Sequence, residues 1–160
     1  MDLGAGGQPS GPLTCTAVGC GPVAQLRTQS LTTSAEQART YQVRVCRNQT
    51  CTTATFASLD TSSLPSGGGV GLPLSRPAPG GGDRVSITLW NEGGAFQVEA
   101  TWNADLPTHA DGDVFLLDVS DPSGASVASI VKVATYETYT PNGEACGPVC
   151  FRAVFADSVL

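Results

Sequence analysis

The sequence predicts an all-β protein, an antiparallel β-sandwich of about eight strands with an immunoglobulin-like or transthyretin-like arrangement. Glycine and proline are abundant, at 19 and 11 of 160 residues, and only 14% of the residues are charged. This composition is typical of short strands joined by many turns. Apolar and polar residues alternate in segments about 8–12 residues apart, and no stretch has helical periodicity. Three close couples of cysteines add the expectation of disulfides.

The first group of strands is expected within residues 12–60. Val23–Arg27 is predicted to be a strand, and the alternating segments Tyr41–Cys46 and Cys51–Phe56 flank the polar loop Arg47–Thr50. In such a hairpin Cys46 and Cys51 face each other at about 4.5 Å between Cα atoms, within reach of a disulfide. Closing so short a loop contributes about 2 kcal/mol in the chain-entropy model.

Residues 62–83 are rich in glycine and proline, and cannot pack a core by themselves. Val70, Leu72 and Leu74 within them indicate a short edge strand. We therefore expect a flexible N-terminal tether at 1–11 and a single sandwich domain at 12–160, with a crossover at 62–83. The alternative is two small β modules, 12–61 and 84–160.

The second group of strands has the clearer pattern. Alternation at Val85–Leu89 and Phe96–Trp102, with a turn between them, predicts a hairpin. Three further strands are expected at Phe115–Val119, Val127–Tyr139 and Phe151–Phe155.

The six cysteines allow 15 pairings. Their grouping makes the local pairs the most economical solution: Cys15–Cys20, Cys46–Cys51 and Cys146–Cys150. Zinc is the rival explanation, but zinc sites favour couples two residues apart, often with histidine, and His109 is the only histidine. Disulfides predict an oxidising, extracytoplasmic location: secreted, periplasmic or cell-surface.

The net charge of −6 is concentrated in the second half of the chain. An acidic chain repels nucleic acid and anionic membranes, so neither is expected as a main partner. No apolar run reaches the roughly 18 residues of a membrane span.

Two segments carry a resemblance: Tyr-x-Val-x-Val-Cys-x-Asn-x-Thr-Cys at 41–51, and Tyr139 to Cys150. They resemble cysteine-containing β-sandwich ectodomains of uncharacterised bacterial secreted proteins and lipoproteins, such as those of myxobacteria. The resemblance implies an immunoglobulin-like or transthyretin-like fold at the cell surface, and it implies no catalytic residues.

An acidic segment offers a candidate metal site. Calcium takes six to eight oxygen ligands, which loops at one end of a sandwich can supply. The candidate ligands are Asp105, Asp111, Asp113 and Asp121, whereas solvated turn acids are the alternative. No other cofactor is expected.

The bridged loops are candidate binding surfaces because rigid loops lose little entropy on binding. They comprise Arg47, Asn48 and Gln49 in one loop and Gly147, Pro148 and Val149 in the other. Trp90 is a candidate platform for a sugar ring, whereas Trp102, in phase with Phe96, is expected in the core.

We therefore expect a non-enzymatic structural or binding module whose partner is an unknown protein or a surface polysaccharide. One alternative is a protease inhibitor or ligand-binding module acting through a bridged loop. The other is a small secreted hydrolase using His109, although no Gly-x-Ser-x-Gly motif is present.

Overall fold

In a computed structural model of the chain, the described residues are 19–32, 39–57, 64–74, 83–93, 95–104 and 109–156. They form ten β-strands and no helix, which confirms the all-β prediction. In chain order the strands are β1 (Ala24–Arg27), β2 (Leu31–Thr32), β3 (Thr40–Arg47), β4 (Thr50–Ala57), β5 (Gly69–Leu72), β6 (Asp83–Glu92), β7 (Ala95–Ala104), β8 (Val114–Ser120), β9 (Ser126–Tyr139) and β10 (Cys150–Phe155). Within this part of the chain there is no helix with the length and apolar character needed to cross a bilayer.

The strands form two antiparallel sheets. The first has the order β1-β7-β6-β5, with β2 also paired to β7, and the second has the order β10-β9-β8-β3-β4. Both sheets combine strands from the two sides of residues 62–83, since β1 pairs with β7 and β3 pairs with β8. The division into one domain or two stays a prediction.

Burial follows the alternation seen in the sequence. In β3, Tyr41, Val43 and Val45 are buried while Gln42 and Arg44 are exposed. The β6–β7 hairpin has the same pattern, and its register pairs Leu89 with Val98 and Ile87 with Ala100. The short strand β5 lies at the edge of the first sheet, as predicted for the segment around Val70 and Leu72.

Aromatic side chains fill the core between the sheets at two levels. At one level the rings of Tyr41, Phe56 and Phe96 lie 5.2–5.5 Å apart between centroids. At the other level Trp102 contacts Phe115 edge-on at 4.9 Å. Trp102 is 1% exposed, which confirms its predicted place in the core.

The disulfides are only partly local. Cys46–Cys51 forms as predicted across the β3–β4 hairpin, with a Cα–Cα distance of 4.1 Å. The predicted Cys15–Cys20 and Cys146–Cys150 pairs are wrong, because Cys20 bonds Cys150 across 130 residues. Cys146 is also disulfide-bonded, and Cys15 lies outside the described residues.

The long-range disulfide has a structural reason at the β1 side of the sandwich. The Val23 amide donates to the Trp102 carbonyl of β7 at 2.8 Å, and the Val23 carbonyl accepts from the Ala153 amide of β10 at 2.6 Å. Val23 therefore links the two sheets, and it brings Cys20 and Cys150 together from opposite ends of the chain.

Candidate functional site

The tip of the β3–β4 hairpin is anchored to the start of β8. Asn48, with a φ of 54°, donates from Nδ2 to Oδ1 of Asp113 at 2.8 Å and accepts the Val114 amide at 2.9 Å. The Arg47 guanidinium Nε lies 3.8 Å from Asp113 Oδ2. The positive φ suits asparagine, which tolerates this region better than most residues.

Asp113 is the centre of this arrangement, and it is only 7% exposed. Its Oδ2 accepts the Tyr136 hydroxyl at 2.8 Å and the Ala110 amide at 3.3 Å. Burial on its own would raise the pKa of Asp113. The hydrogen bonds from Asn48, Tyr136 and Ala110, together with the charge of Arg47, outweigh burial and hold the pKa below its ordinary value.

The other candidate calcium ligands do not all join Asp113. Asp111 lies in the same loop and accepts the Tyr136 amide at 2.8 Å. Asp121 lies at the other end of the seven-residue strand β8, roughly 26 Å from Asp113 at the usual rise per residue. There it accepts the Ser123 and Ala125 amides in a turn. Asp105 lies outside the described residues.

Metal binding therefore stays a prediction. No group of three or more His, Cys, Asp or Glu side chains that could hold a metal ion occurs among the residues that the structure describes. The oxygens of Asp113 and Asp121 already accept hydrogen bonds from protein donors.

The two candidate binding loops differ in what they expose. Arg47 and Asn48 are engaged with Asp113, and only Gln49 of that predicted set is exposed without a contact to the acid. In the second loop Gly147, Pro148 and Val149 are all exposed. Val149 is 60% exposed, although it is apolar.

The two remaining candidates are packed against neighbouring side chains. The His109 ring lies edge-on to Tyr136 at 5.2 Å. The guanidinium of Arg27 lies over the Trp90 ring at 4.9 Å, and Arg27 also pairs with Glu99 at 3.2 Å. A sugar stacking on Trp90 from that side would have to displace Arg27.

The structure also contains a groove that was not predicted from the sequence. It measures about 670 Å³ and opens between the β1–β2 side of the first sheet and the first half of β9 in the second. The main-chain hydrogen bonds of Val23 link the two sheets next to this groove. Apolar side chains form much of the lining, including Leu26, Leu31, Ile130 and Phe155.

One wall of this groove is an unpaired strand edge. β9 has 14 residues, but β10 pairs only with its second half, from Ala134 to Tyr139. Residues 126–133 pair with β8 on one side, and no strand within the described part of the chain pairs with their other side. We call residues 126–133 the open edge of β9.

The pairing of β9 with β8 determines which main-chain amides and carbonyls of the open edge point away from β8. The amide and carbonyl of Ala134 both bond towards the β8 side, to Asp113 and Gly112. In an antiparallel strand this direction alternates from residue to residue. The amides and carbonyls of Val133, Val131 and Ser129 therefore point to the open side.

Lys132 is the only lysine of the chain, and it is half-buried along the groove. It has the same strand parity as the buried Ala134, so its side chain lies on the inner face. Two of the described residues that line the groove are charged, Arg27 and Lys132. Arg27 pairs with Glu99, whereas the Lys132 side chain has no hydrogen bond or ion pair with a described residue.

One signal in the sequence could have revealed the groove. The predicted strand Val127–Tyr139 is more than twice as long as the predicted final strand Phe151–Phe155. A strand of that length cannot be covered by so short a neighbour, and part of its edge is left over.

No protein family, no curated protein and no solved structure compared with the chain matches it. The resemblance to bacterial cysteine-containing ectodomains is therefore supported only at the level of an all-β, β-sandwich-like chain with disulfides, a feature of proteins from oxidising compartments.

Proposed function

We propose that the protein is a non-enzymatic extracytoplasmic module, secreted or at the cell surface, that binds another protein in the groove beside β9. The observation that carries this proposal is the open edge of β9 beside a cleft that is lined by both apolar and polar side chains. Unpaired strand edges template pairing with other chains, and soluble proteins normally cover or blunt them. Binding sites are usually clefts in which polar groups accompany apolar side chains.

A protein partner is better supported than a polysaccharide. The main aromatic candidate for sugar stacking, Trp90, is half-buried and has Arg27 over its ring. The groove offers main-chain amides and carbonyls, which match the main chain of a peptide.

A selection experiment tests the proposal without knowledge of the natural partner. A random peptide library displayed on phage is selected against the wild-type protein and against Ala128→Trp. Ala128 lines the groove and lies on the inner face of β9, so a neutral indole there obstructs the cleft. We expect enriched peptides to bind the wild type and to lose at least ten-fold in affinity for Ala128→Trp, whose fold is checked by thermal unfolding.

Val149→Trp is the matched control, because it adds the same side chain at an exposed position outside the described lining of the groove. Peptides selected for the groove should bind this variant as they bind the wild type. Failure to enrich any peptide, or equal binding to the wild type and Ala128→Trp, would contradict the proposal.

A second candidate function is protease inhibition through the loop Gly147–Val149. The observation that favours it is an exposed valine between two disulfide-bonded cysteines. A constrained loop pays little ordering entropy when it enters an active-site cleft. Stoichiometric inhibition of a protease that prefers small apolar residues, abolished in Val149→Asp, would support this function. A panel of serine proteases unaffected at micromolar concentration would reject it.

A further inference from the structure

We propose that the partner enters the groove as an extended strand that pairs with the open edge of β9 and places an acidic side chain against Lys132. This inference rests on the proposed function and specifies the chemistry of its partner. The occupant is a segment of another protein with a carboxylate followed at alternate positions by apolar residues.

The place for such a strand is defined by β10. β10 runs antiparallel to β9 and ends with Phe155 opposite Ala134. A guest strand on the same side of β9 would continue along the line of β10, with the amides and carbonyls of Val133, Val131 and Ser129 as its partners. The open edge has eight residues, so it spans roughly 26 Å and accepts a guest of about the same length.

The acidic preference follows from the charge in the groove. A guest residue directly opposite Lys132 has its Cβ roughly 5 Å from that of the lysine, on the same inner face. Among the described residues of the lining, the other charge is that of Arg27, which is paired with Glu99. A carboxylate opposite Lys132 would neutralise a half-buried cation, whereas a lysine there would face it with like charge.

The apolar preference follows from the same register. Beyond Lys132 the inner-face residues of the open edge are Ile130 and Ala128, both partly buried against the core. An antiparallel guest meets Lys132 first, then Ile130, then Ala128. The recognition pattern is therefore an acidic residue, any residue, an apolar residue, any residue and a second apolar residue.

Two synthetic peptides test this pattern by fluorescence anisotropy: acetyl-GTDTVTVG-amide and its matched lysine form acetyl-GTKTVTVG-amide, each labelled with fluorescein. We expect the aspartate peptide to bind the wild type at least ten-fold more tightly. In Lys132→Glu the preference should reverse in favour of the lysine peptide. Thermal unfolding of the variant without peptide checks that its fold is retained.

Strand pairing is tested separately from charge. Val131→Pro removes an amide that faces the open side, whereas Val131→Ala keeps the amide and removes most of the side chain. We expect the proline variant to lose at least ten-fold in affinity for the aspartate peptide and the alanine variant to lose less than three-fold. An aspartate peptide N-methylated on alternate amides should also fail to bind.

The outcomes separate this inference from the proposed function. If phage selection yields peptides that depend on the groove, but the two synthetic peptides bind equally or the proline variant binds normally, the strand inference is overturned and the binding function stands. If Ala128→Trp affects no selected peptide, the proposed binding function is rejected as well.

Two competing occupants have their own signatures. The chain's Asp157-Ser158-Val159-Leu160 has an acidic and an apolar residue at the same spacing. A ten-fold gain in affinity for the aspartate peptide after deletion of residues 157–160 would assign the groove to this chain's own segment. A dimer in analytical ultracentrifugation that Ala128→Trp dissociates would assign the groove to a second copy of this chain. Either result would overturn the inference that a separate protein occupies the groove.

Discussion

Replacement of Asp113 by asparagine tests whether the charged network at the hairpin tip stabilises the fold. Asparagine keeps the shape of the side chain and one acceptor oxygen, so Asn48 can still donate to it. An NH2 group takes the place of the second carboxylate oxygen. The main-chain amide of Ala110 and the guanidinium of Arg47 therefore lose their contacts with a carboxylate. The Tyr136 hydroxyl keeps a polar neighbour but loses a charged acceptor.

The magnitude follows from the number of contacts. Hydrogen bonds to charged groups contribute about 1.5–3 kcal/mol each, and a buried donor left without an acceptor costs about 1–3 kcal/mol. Asp113 is 7% exposed, so hydrogen bonds to water can replace few of the lost contacts. We expect Asp113→Asn to lower the free energy of unfolding by about 2–3 kcal/mol at pH 7.

The pKa of Asp113 determines whether its contribution to stability grows or shrinks as the pH falls. The pKa of Asp113 in the folded protein lies below its ordinary value of 3.8. The stabilisation is therefore fully present well above pH 3.8 and is lost as the pH falls through the folded-state pKa. Urea unfolding of the wild type and Asp113→Asn at several pH values between 7 and about 2.5 should show the difference in stability shrinking at the acid end.

Glu144→Gln is the control for the loss of one negative charge, because Glu144 is exposed in the loop before Cys146. It should leave the unfolding free energy nearly unchanged. Two results would show that the charged network is not a source of stability. One is an equal unfolding free energy of Asp113→Asn and the wild type at pH 7. The other is a difference in unfolding free energy that is the same at the acid end of the range as at pH 7.

Three further predictions concern the disulfides and the core. Peptide mapping under non-reducing conditions should recover Cys20 linked to Cys150; a Cys146–Cys150 peptide would refute the long-range pairing. Replacing both Cys46 and Cys51 by serine should cost about 2 kcal/mol in urea unfolding, as expected for a short loop; a loss of all structure by circular dichroism would contradict this local role. Trp102→Ala should cost about 3–5 kcal/mol, because it empties a fully buried site; a calorimetric melting temperature equal to that of the wild type would exclude a central role for this ring.

The chain's local patterns were sufficient to predict its strands and the face that each strand buries. Alternation depends on the period of two in a strand, which is a local property. It placed Val43 and Val98 in the core and Cys46 opposite Cys51. It did not predict β2, because two residues are too few to show a period.

The candidate site was predictable only in parts. Arg47, Asn48 and Asp113 were each singled out for separate reasons, as loop residues or as a metal ligand. Their convergence depends on the pairing of β3 with β8, which joins residues about 65 positions apart. No local pattern encodes that pairing, so the role of Asp113 as an acceptor for the hairpin tip could not be predicted from the sequence.

The sequence by itself determined an all-β chain with a known set of inward-facing residues, because the alternation of apolar and polar side chains depends only on neighbouring positions. Only the tertiary structure decided that Cys20 bonds Cys150 and that residues 126–133 of β9 pair on one side only among the described strands. Both depend on how strands distant in the chain are ordered in the two sheets. That order is set by the packing of the whole core, and a pattern of period two is compatible with many such orders.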